Sequence, residues 1–579
     1  MEGGVLESYL ADHNWNMFAS SLIIEICRRF GSDTFFVSPG YRDAPFIAAL
    51  QLHKGLTLVS CWDERAAAFQ ALGWAKAKRK PAVLICTSGT AGANYLPAVI
   101  EAKTDHHPLL VITADRPFEL VFATAQQVID QRDLFGKFVK KSLDFPAPSP
   151  QLNAKAWMSY IKMLLETTTD GYAGPVHLNL PFTAPLDPEV NALRPSNIQV
   201  AEAEAAIDRL SFDTKNHSIT QWDKGLTSEL VDRLKSAKRG LLLIGRLQSD
   251  TERKAVALLR DRLGYPVFAD IGSGLKFESR MEIPDLNLPQ SQQWIDLYAP
   301  DCVLHVGKRL VTRHFDDRLA RWKFPDYWVL SDEEQIQDPY HLPQRRQYRP
   351  DYAQLLAALP MLPYDRSLER EIRSLQRSLG RVKSPGFNFH DVAKVIRQRT
   401  RSELFLGNST AIRAFDSWCF GCGGPSLEVA ANRGVSGIEG LLATTIGLSL
   451  ATRKMWTLVV GDIALLHDLN SIISLAQSEA KVRVVVVNNV GGRIFETLPL
   501  QKYPWVKDPL ISTPHDFDFK GVAAMARLPY QLAETAEDFT RAYEAMLELG
   551  ESCIIECKQD AEADLMFSRA LAAQEIHYE

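Results

Sequence analysis

Residues 457–495 read TLVVGDIALLHDLNSIISLAQSEAKVRVVVVNNVGGRIF, and few folds accommodate that succession of residue types. Thr457–Val460 predicts a short buried strand ending in Gly461-Asp462. Asp468 then opens a predicted amphipathic helix whose apolar positions Leu469, Ile472, Ile473 and Ala476 recur at the helical period. Val482–Val487 is an almost unbroken β-branched run, the pattern of a strand covered on both faces, and it ends in Asn488-Asn489-Val490-Gly491-Gly492. A strand–helix–strand unit of this kind forms a parallel crossover, so the acid and the amide emerge at the same edge of one sheet. Open α/β sheets bind ligands at that edge. A carboxylate and a side-chain amide are hard oxygen donors suited to Mg²⁺, whose remaining positions are usually filled by phosphate oxygens and water.

The same alternation runs through the rest of the chain. Thr34–Val37, Leu56–Cys61, Val83–Cys86, Leu109–Thr113 and Val176–Leu180 predict strands of a first parallel sheet, with helices at Asn16–Phe30 and Ala66–Lys78. These strands run into Ser38-Pro39-Gly40-Tyr41-Arg42, Trp62-Asp63-Glu64-Arg65, Thr87-Ser88-Gly89-Thr90-Ala91 and Ala114-Asp115-Arg116-Pro117. Arg42, Glu64, Ser88, Gly89, Arg116 and Gln126-Gln127 are therefore expected along one edge, lining a concave site. Gly240–Ile244, Pro266–Ala269, Val303–Val306 and Tyr327–Leu330 predict a second sheet. Leu404–Leu406, followed by Gly407-Asn408-Ser409 and Arg413, joins the 457–495 unit in a third. Residues 190–225 and Pro339–Pro350 read as linkers, and Glu369–Ser378 as a charged helix. At 579 residues the chain exceeds what one core supports. The expected fold class is α/β, with three doubly wound parallel-sheet domains over 1–190, 215–360 and 375–579.

A net charge of −5 and the absence of a Lys/Arg-rich block give no footprint for nucleic acid. No apolar run reaches membrane-spanning length, and Met1-Glu2-Gly3-Gly4 does not begin a secretory signal. Eight scattered cysteines form no disulfide framework, and the Cys419/Cys422 pair lacks a second pair to complete a zinc site. The expected location is the cytoplasm.

Asp462 and Asn489 stand 27 positions apart. With Gly461, Gly491, the strand-end Glu64 and three α/β domains, they resemble the thiamine-diphosphate decarboxylase superfamily. Further blocks are similar to its members in menaquinone and phylloquinone biosynthesis. They are Ser38-Pro39-Gly40-x-Arg42, Asp63-Glu64-Arg65, Thr87-Ser88-Gly89-Thr90-Ala91, Thr113-Ala114-Asp115-Arg116-Pro117, Asn432-Arg433-Gly434-x-Ser436-Gly437-Ile438-x-Gly440 and Asn488-Asn489-x-Gly491-Gly492-x-Ile494-Phe495. The resemblance implies thiamine diphosphate and Mg²⁺ (or Mn²⁺) as cofactors, with Asp462, Asn489 and the Gly491 carbonyl on the metal. Glu64 would hydrogen-bond the cofactor's pyrimidine ring, Ile438 would hold the cofactor bent, and Ser88, Gly89 and Phe495 would complete its site. Arg42, Arg116, Gln127, Arg313, Ser409, Arg413 and Arg433 would line a pocket for small carboxylate substrates. In that family, 2-oxoglutarate is decarboxylated and the remaining fragment is joined to isochorismate. Arginine suits such ligands because its planar fork binds carboxylates bidentately. The resemblance also implies a homodimer or homotetramer, with Glu64 and the diphosphate site meeting across a subunit interface.

Two positions depart from the family pattern. Tyr41 stands where the family usually carries Ser, and the middle domain's usual Lys-Arg pair is matched by Arg313-His314, or alternatively by Lys308-Arg309. A histidine there makes anion binding pH-dependent near neutrality. Both changes touch the acceptor side, which keeps open a related thiamine-diphosphate lyase or carboligase with another 2-oxo acid or acceptor. A degenerate, non-catalytic scaffold is disfavoured by the joint presence of Glu64, Asp462 and Asn489.

Overall fold

The computed structural model describes residues 14–188, 194–212, 224–312, 326–333, 337, 345–400, 403–420, 424 and 428–574. The chain forms two compact units. One comprises the described residues of Met1–Ser218, Asn432–Lys454 and His467–Val482, and the other those of Ile219–Ala431, Met455–Leu466 and Arg483–Glu579.

The first unit is built on a sheet of β1 (Thr34–Ser38), β2 (Thr57–Ser60), β3 (Ala82–Cys86), β4 (Leu109–Asp115), β5 (Ser142–Asp144) and β6 (Pro175–Pro181), in the order β2-β1-β3-β4-β6-β5. Every described pairing in it is parallel. Alternate residues of the central strands face opposite sides, and each side has its own core. Phe35, Val83, Ile85, Leu110 and Ile112 pack with Leu22, Ile26, Trp157 and Ile161 on one side. Phe36, Leu84, Cys86 and Val111 pack with Phe69, Leu72 and Val99 on the other. Helices on both faces explain why β3 and β4 are buried throughout and lack polar alternation.

The Glu64–Lys78 and Leu441–Thr452 helices of this unit meet at their backbones. A Cβ on Gly73 would lie 2.0 Å from the Thr444 carbonyl oxygen, and one on Gly447 would lie 1.9 Å from that of Gln70. Asp468 satisfies the second helix's first turn, its Oδ2 accepting the Leu442 and Ala443 amides at 2.8 and 3.1 Å. Asp468 therefore does not open a helix of its own, as its place before Leu469 had implied. That helix begins at Ser471, and it buries Ile472 and Leu475 while Ala476 is exposed.

The second unit holds two sheets. β7 (Gly240–Ile244), β8 (Val267–Ala269), β9 (Cys302–Val306), β10 (Tyr327–Leu330) and β11 (Arg345–Tyr348) form the order β11-β10-β9-β7-β8. β12 (Glu403–Leu406), β13 (Val429–Ala430), β14 (Met455–Gly461), β15 (Lys481–Asn488), β16 (Tyr530–Ala533) and β17 (Cys553–Lys558) form the order β13-β12-β14-β15-β17-β16. Two linker expectations are corrected here. Arg345–Tyr348, inside Pro339–Pro350, pairs in parallel with β10 as an edge strand. Residues 197–208, inside 190–225, form a helix closed by a Ser196/Gln199 capping box. In both stretches polar composition hid regular structure, because an edge strand and a surface helix need little apolar surface.

A fully buried charged cluster joins the two sheets of this unit. The Lys276 ammonium donates to the Ala269 carbonyl at 2.7 Å, lies 3.2 Å from Asp416 Oδ1 and sits over the Phe268 ring at 4.3 Å. Asp416, on the Thr410–Ser417 helix, also accepts the Ile271 amide at 2.8 Å. Nearby, burial pushes the Glu282 carboxyl up to about 7 and that of Asp285 up to about 6. A carboxyl whose pKa rises on folding stabilises the fold below its unfolded value and loses that contribution as pH climbs through the folded one.

Replacing Gly447 by Ala should destabilise the first unit by at least about 1–3 kcal/mol, the cost of overpacking, measured as a shift in the urea midpoint. Glu282→Gln, which fixes the neutral form, should flatten the fall in thermal midpoint between about pH 5 and about pH 8. An unchanged slope would show that the cluster does not titrate in that range.

Candidate active site

In the first unit, the carboxyl edge of the sheet gathers the residues expected from its strand ends. The β1 loop closes tightly. Gly40 donates its amide to Asp43 Oδ1 at 2.8 Å, and a Cβ on Gly40 would lie 2.4 Å from that of Thr87. Arg42 is half-buried, with its amide on Thr87 Oγ1 at 3.3 Å and Nη1 on the Phe182 carbonyl at 2.7 Å. Arg116 Nη1 donates to Ser88 Oγ at 2.5 Å and to the Gln127 carbonyl at 2.7 Å. Gln127 returns Nε2 to the Ser88 carbonyl at 3.2 Å. Gly89 takes φ 92°, and a Cβ there would meet the Gln127 side chain at 3.1 Å, so this turn requires glycine.

Arg116, Ser88 and Gln127 thus form one hydrogen-bonded cluster, with Gly89 packed against Gln127 and Arg42 bonded to the adjacent Thr87. Burial, and after it the neighbouring Arg116 charge, holds the Arg42 guanidinium below its ordinary pKa. Two guanidiniums anchored by carbonyl and hydroxyl oxygens make an electropositive edge suited to carboxylates. Tyr41 is 70% exposed beside them.

Glu64 opens the Glu64–Lys78 helix behind the N-cap Asp63, which accepts the Ala66 amide at 2.9 Å and the Asn470 side chain at 2.7 Å. Among the described residues the half-buried Glu64 side chain has no hydrogen bond or ion pair, whereas both its neighbours are engaged. Arg65 donates to the His467 carbonyl at 2.7 Å. Arg433 and Ile438 lie half-buried on the 432–440 segment of the same unit.

In the second unit, β14 and β15 are neighbours, and Asp462 and Asn489 stand at their carboxyl ends. Asp462 is 2% exposed. Its Oδ1 accepts the Ile463 amide at 2.6 Å and its Oδ2 accepts the Gly491 amide at 2.9 Å. Burial raises the Asp462 pKa, opposed by these amides and by His515, whose Nε2 lies 3.3 Å from Oδ2. Gly491 has φ 124°, and a Cβ there would lie 2.5 Å from the Ser512 carbonyl oxygen. Asn489 directs Nδ2 to Asp564 Oδ2 at 3.4 Å, and its main-chain carbonyl accepts Arg493 Nε at 3.0 Å. Phe495 follows in a 3-10 turn. Ser409, with φ 68° after β12, accepts Arg413 Nη1 on its carbonyl at 2.6 Å.

The donor set fits a hard divalent ion. The Gly491-to-Asp462 bond binds the acid to the turn that carries the amide, and the amide's nitrogen already has an acceptor, so its oxygen is the group left to face a cation. Asp564, His515 and Gln131 were not anticipated from sequence. Gln131 accepts the Gly89 amide at 2.7 Å. Each acts through a partner distant in sequence and carries no local motif. Arg313 and His314 lie outside the described residues, as does Cys422.

Comparison with known proteins identifies the family. Residues 17–134 match the family described as the thiamine pyrophosphate enzyme N-terminal TPP binding domain. Residues 214–387 match the middle domain and 425–557 the C-terminal TPP binding domain. The 2-succinyl-5-enolpyruvyl-6-hydroxy-3-cyclohexene-1-carboxylate synthase of Syntrophus aciditrophicus is 39% identical over 95% of this chain and 97% of its own length. The enzymes of that name from Chlorobium chlorochromatii and Pelodictyon phaeoclathratiforme are 35% and 32% identical over 96% of this chain, and over 96% and 95% of their own lengths. Among solved structures, the thiamine diphosphate-dependent 4-hydroxybenzoylformate decarboxylase of Rhodococcus jostii RHA1 superimposes with a TM-score of 0.69 at 18% identity, covering 94% of this chain and 99% of that one. The chain belongs to the thiamine-diphosphate enzyme family, in the branch of the 2-succinyl-5-enolpyruvyl-6-hydroxy-3-cyclohexene-1-carboxylate synthases.

Proposed function

We propose that this enzyme decarboxylates 2-oxoglutarate and joins the remaining succinyl fragment to isochorismate. The products are CO₂ and 2-succinyl-5-enolpyruvyl-6-hydroxy-3-cyclohexene-1-carboxylate. The observation that carries the substrate class is the Arg42/Arg116 pair: two neighbouring guanidiniums anchored by carbonyl and hydroxyl oxygens retain their charge for anionic ligands. Both substrates are polycarboxylates.

Bound thiamine diphosphate supplies the electron sink for decarboxylation. Asp462, Asn489 and the Gly491 carbonyl would hold Mg²⁺ and through it the diphosphate. Glu64 would hold a proton at a ring nitrogen of the cofactor, and its lack of another partner among the described residues leaves it available for that task. Ser88, Gly89, Ile438 and Phe495 would shape the cofactor site. Arg42, Arg116, Gln127, Ser409, Arg413 and Arg433 would orient substrate carboxylates, with Arg313 assigned by resemblance alone.

Among the described residues no helix is long and apolar enough to cross a membrane. The proposed location is the cytoplasm and the proposed assembly a homodimer, or a dimer of dimers, sharing its active sites. A second reading, a carboligase with a different acceptor, rests on the exposed Tyr41 phenol in place of a small hydroxyl.

Incubation with 2-oxoglutarate, Mg²⁺ and cofactor should release CO₂ stoichiometrically only when isochorismate is present, with the coupled product seen by mass spectrometry. Indifference to isochorismate would select the second reading. Glu64→Gln should lower kcat by about 10²- to 10⁴-fold, as expected for loss of a proton-holding group, while cofactor binding persists. Asp462→Ala should weaken Mg²⁺-dependent cofactor binding in calorimetry by more than the about 100-fold typical of an outer-shell loss. Mixing these two inactive variants through a subunit-exchange step should restore activity, since a shared-site hybrid contains one unaltered site. No restoration despite demonstrated exchange would argue for sites built within one chain.

A further inference from the structure

Glu101 lies on the Leu96–Asp105 helix and is 1% exposed, a costly place for a carboxylate unless donors surround it. Among the described residues no cation lies within ion-pair distance. Instead its two oxygens take two successive main-chain amides from a segment more than three hundred residues away. Oε1 accepts the Gly434 N–H at 2.8 Å and Oε2 accepts the Val435 N–H at 2.7 Å. The approach demands glycine, because a Cβ on residue 434 would lie 2.9 Å from Oε2 and 3.0 Å from the Glu101 main-chain oxygen.

The segment so held is irregular, and its fastenings include one at its start, one in its middle and one at its end. Asn432 Nδ2 donates to Thr444 Oγ1 at 2.9 Å at its start. Gly440 ends it with φ 65°, where a Cβ would lie 2.1 Å from the Phe69 ring. The Glu101 carboxylate grips the middle, just before Ser436 turns the chain at φ 61°. Arg433 and Ile438 flank that grip, and no described strand or regular helix runs through the stretch from one to the other. The three fastenings therefore help to fix the main chain that carries both side chains.

We propose that Glu101 is a positioning residue for the reaction: its doubly accepting carboxylate fixes the 433–438 turn and so aims Arg433 at a substrate carboxylate and Ile438 at the cofactor. The inference rests on the roles proposed above for those two side chains. It differs from a purely structural role, in which loss of Glu101 would cost stability while the folded enzyme kept its constants.

Glu101→Gln is the direct test, since the amide keeps one acceptor and opposes the other N–H with its own NH₂. The Mg²⁺-loaded variant should show KM for the acceptor raised, or kcat lowered, so that kcat/KM falls by about 10- to 100-fold, the scale of a misplaced positioning group. Cofactor affinity, read by calorimetry without turnover, should weaken in parallel through Ile438. Gly434→Ala attacks the same contact from the other side and should reproduce the pattern, which covers the case in which Glu101→Gln does not fold. In an Arg433→Ala background Glu101→Gln should have a diminished effect on the acceptor constants. A lowered thermal midpoint with cofactor affinity and both kinetic constants unchanged would overturn the proposal, as would full additivity with Arg433→Ala together with unaltered cofactor affinity. Unchanged acceptor constants in Arg433→Ala alone would overturn the reading of Arg433, while the cofactor measurement would still decide the clamp through Ile438.

Discussion

A carboxylate stripped of water at the end of a buried strand must be given other donors, and the strand-end turn beside Asp462 in the second unit is arranged around that requirement. Two amides answer it, and the more consequential is that of Gly491. By reaching back from the end of β15 to the end of β14, it ties the Asn488–Gly492 turn to the acid. The turn is then locked from behind. Asn488 spans to Phe517 and Glu556, Arg493 grips the Asn489 and Val490 carbonyls, and Ser512 closes over Gly491. A turn whose oxygen donors fit a hard cation is the outcome of satisfying one buried charge.

The first unit handles charge in the opposite sense. Arg42 and Arg116 are anchored by carbonyl and hydroxyl oxygens. Neutral acceptors fix the geometry of a guanidinium without cancelling its charge, which remains for an anionic ligand. Glu64 follows the same logic. Its neighbours Asp63 and Arg65 are engaged by Asn470 and His467, and they fix the first turn of the helix so that Glu64 need make no bond of its own. In each case the residue that would meet a ligand is flanked by residues that hold it in place.

What could be read from sequence follows from how far each signal travels along the chain. The buried strands announced themselves because helices cover both faces of their sheets, leaving runs such as Ala82–Cys86 and Lys481–Asn488 with little or no polar interruption. Asp462, Asn489, Arg42 and Arg116 were legible because strand ends are marked by a change from apolar to polar residues. The edge strands Ser142–Asp144 and Arg345–Tyr348 were not, since they are short and their sequences are polar. Asp468 illustrates a deeper limit. Its position before an apolar stretch reads as a local cap, yet it caps a helix that precedes it by more than twenty residues. Glu101, Gln131 and Asp564 were invisible for the same reason: each is defined by a partner that only the folded chain brings near.

The first unit is assembled from three separated stretches, the last of them ending at Val482. During vectorial synthesis its amino-terminal sheet is therefore complete long before the Leu441–Thr452 helix that seals it leaves the ribosome. Until then the Gly73 face, shaped to receive a bare backbone, remains uncovered, and domains that wait in this way are prone to misassembly. The order in which these stretches emerge, and not only the stability of the finished unit, is thus part of the route to the native enzyme.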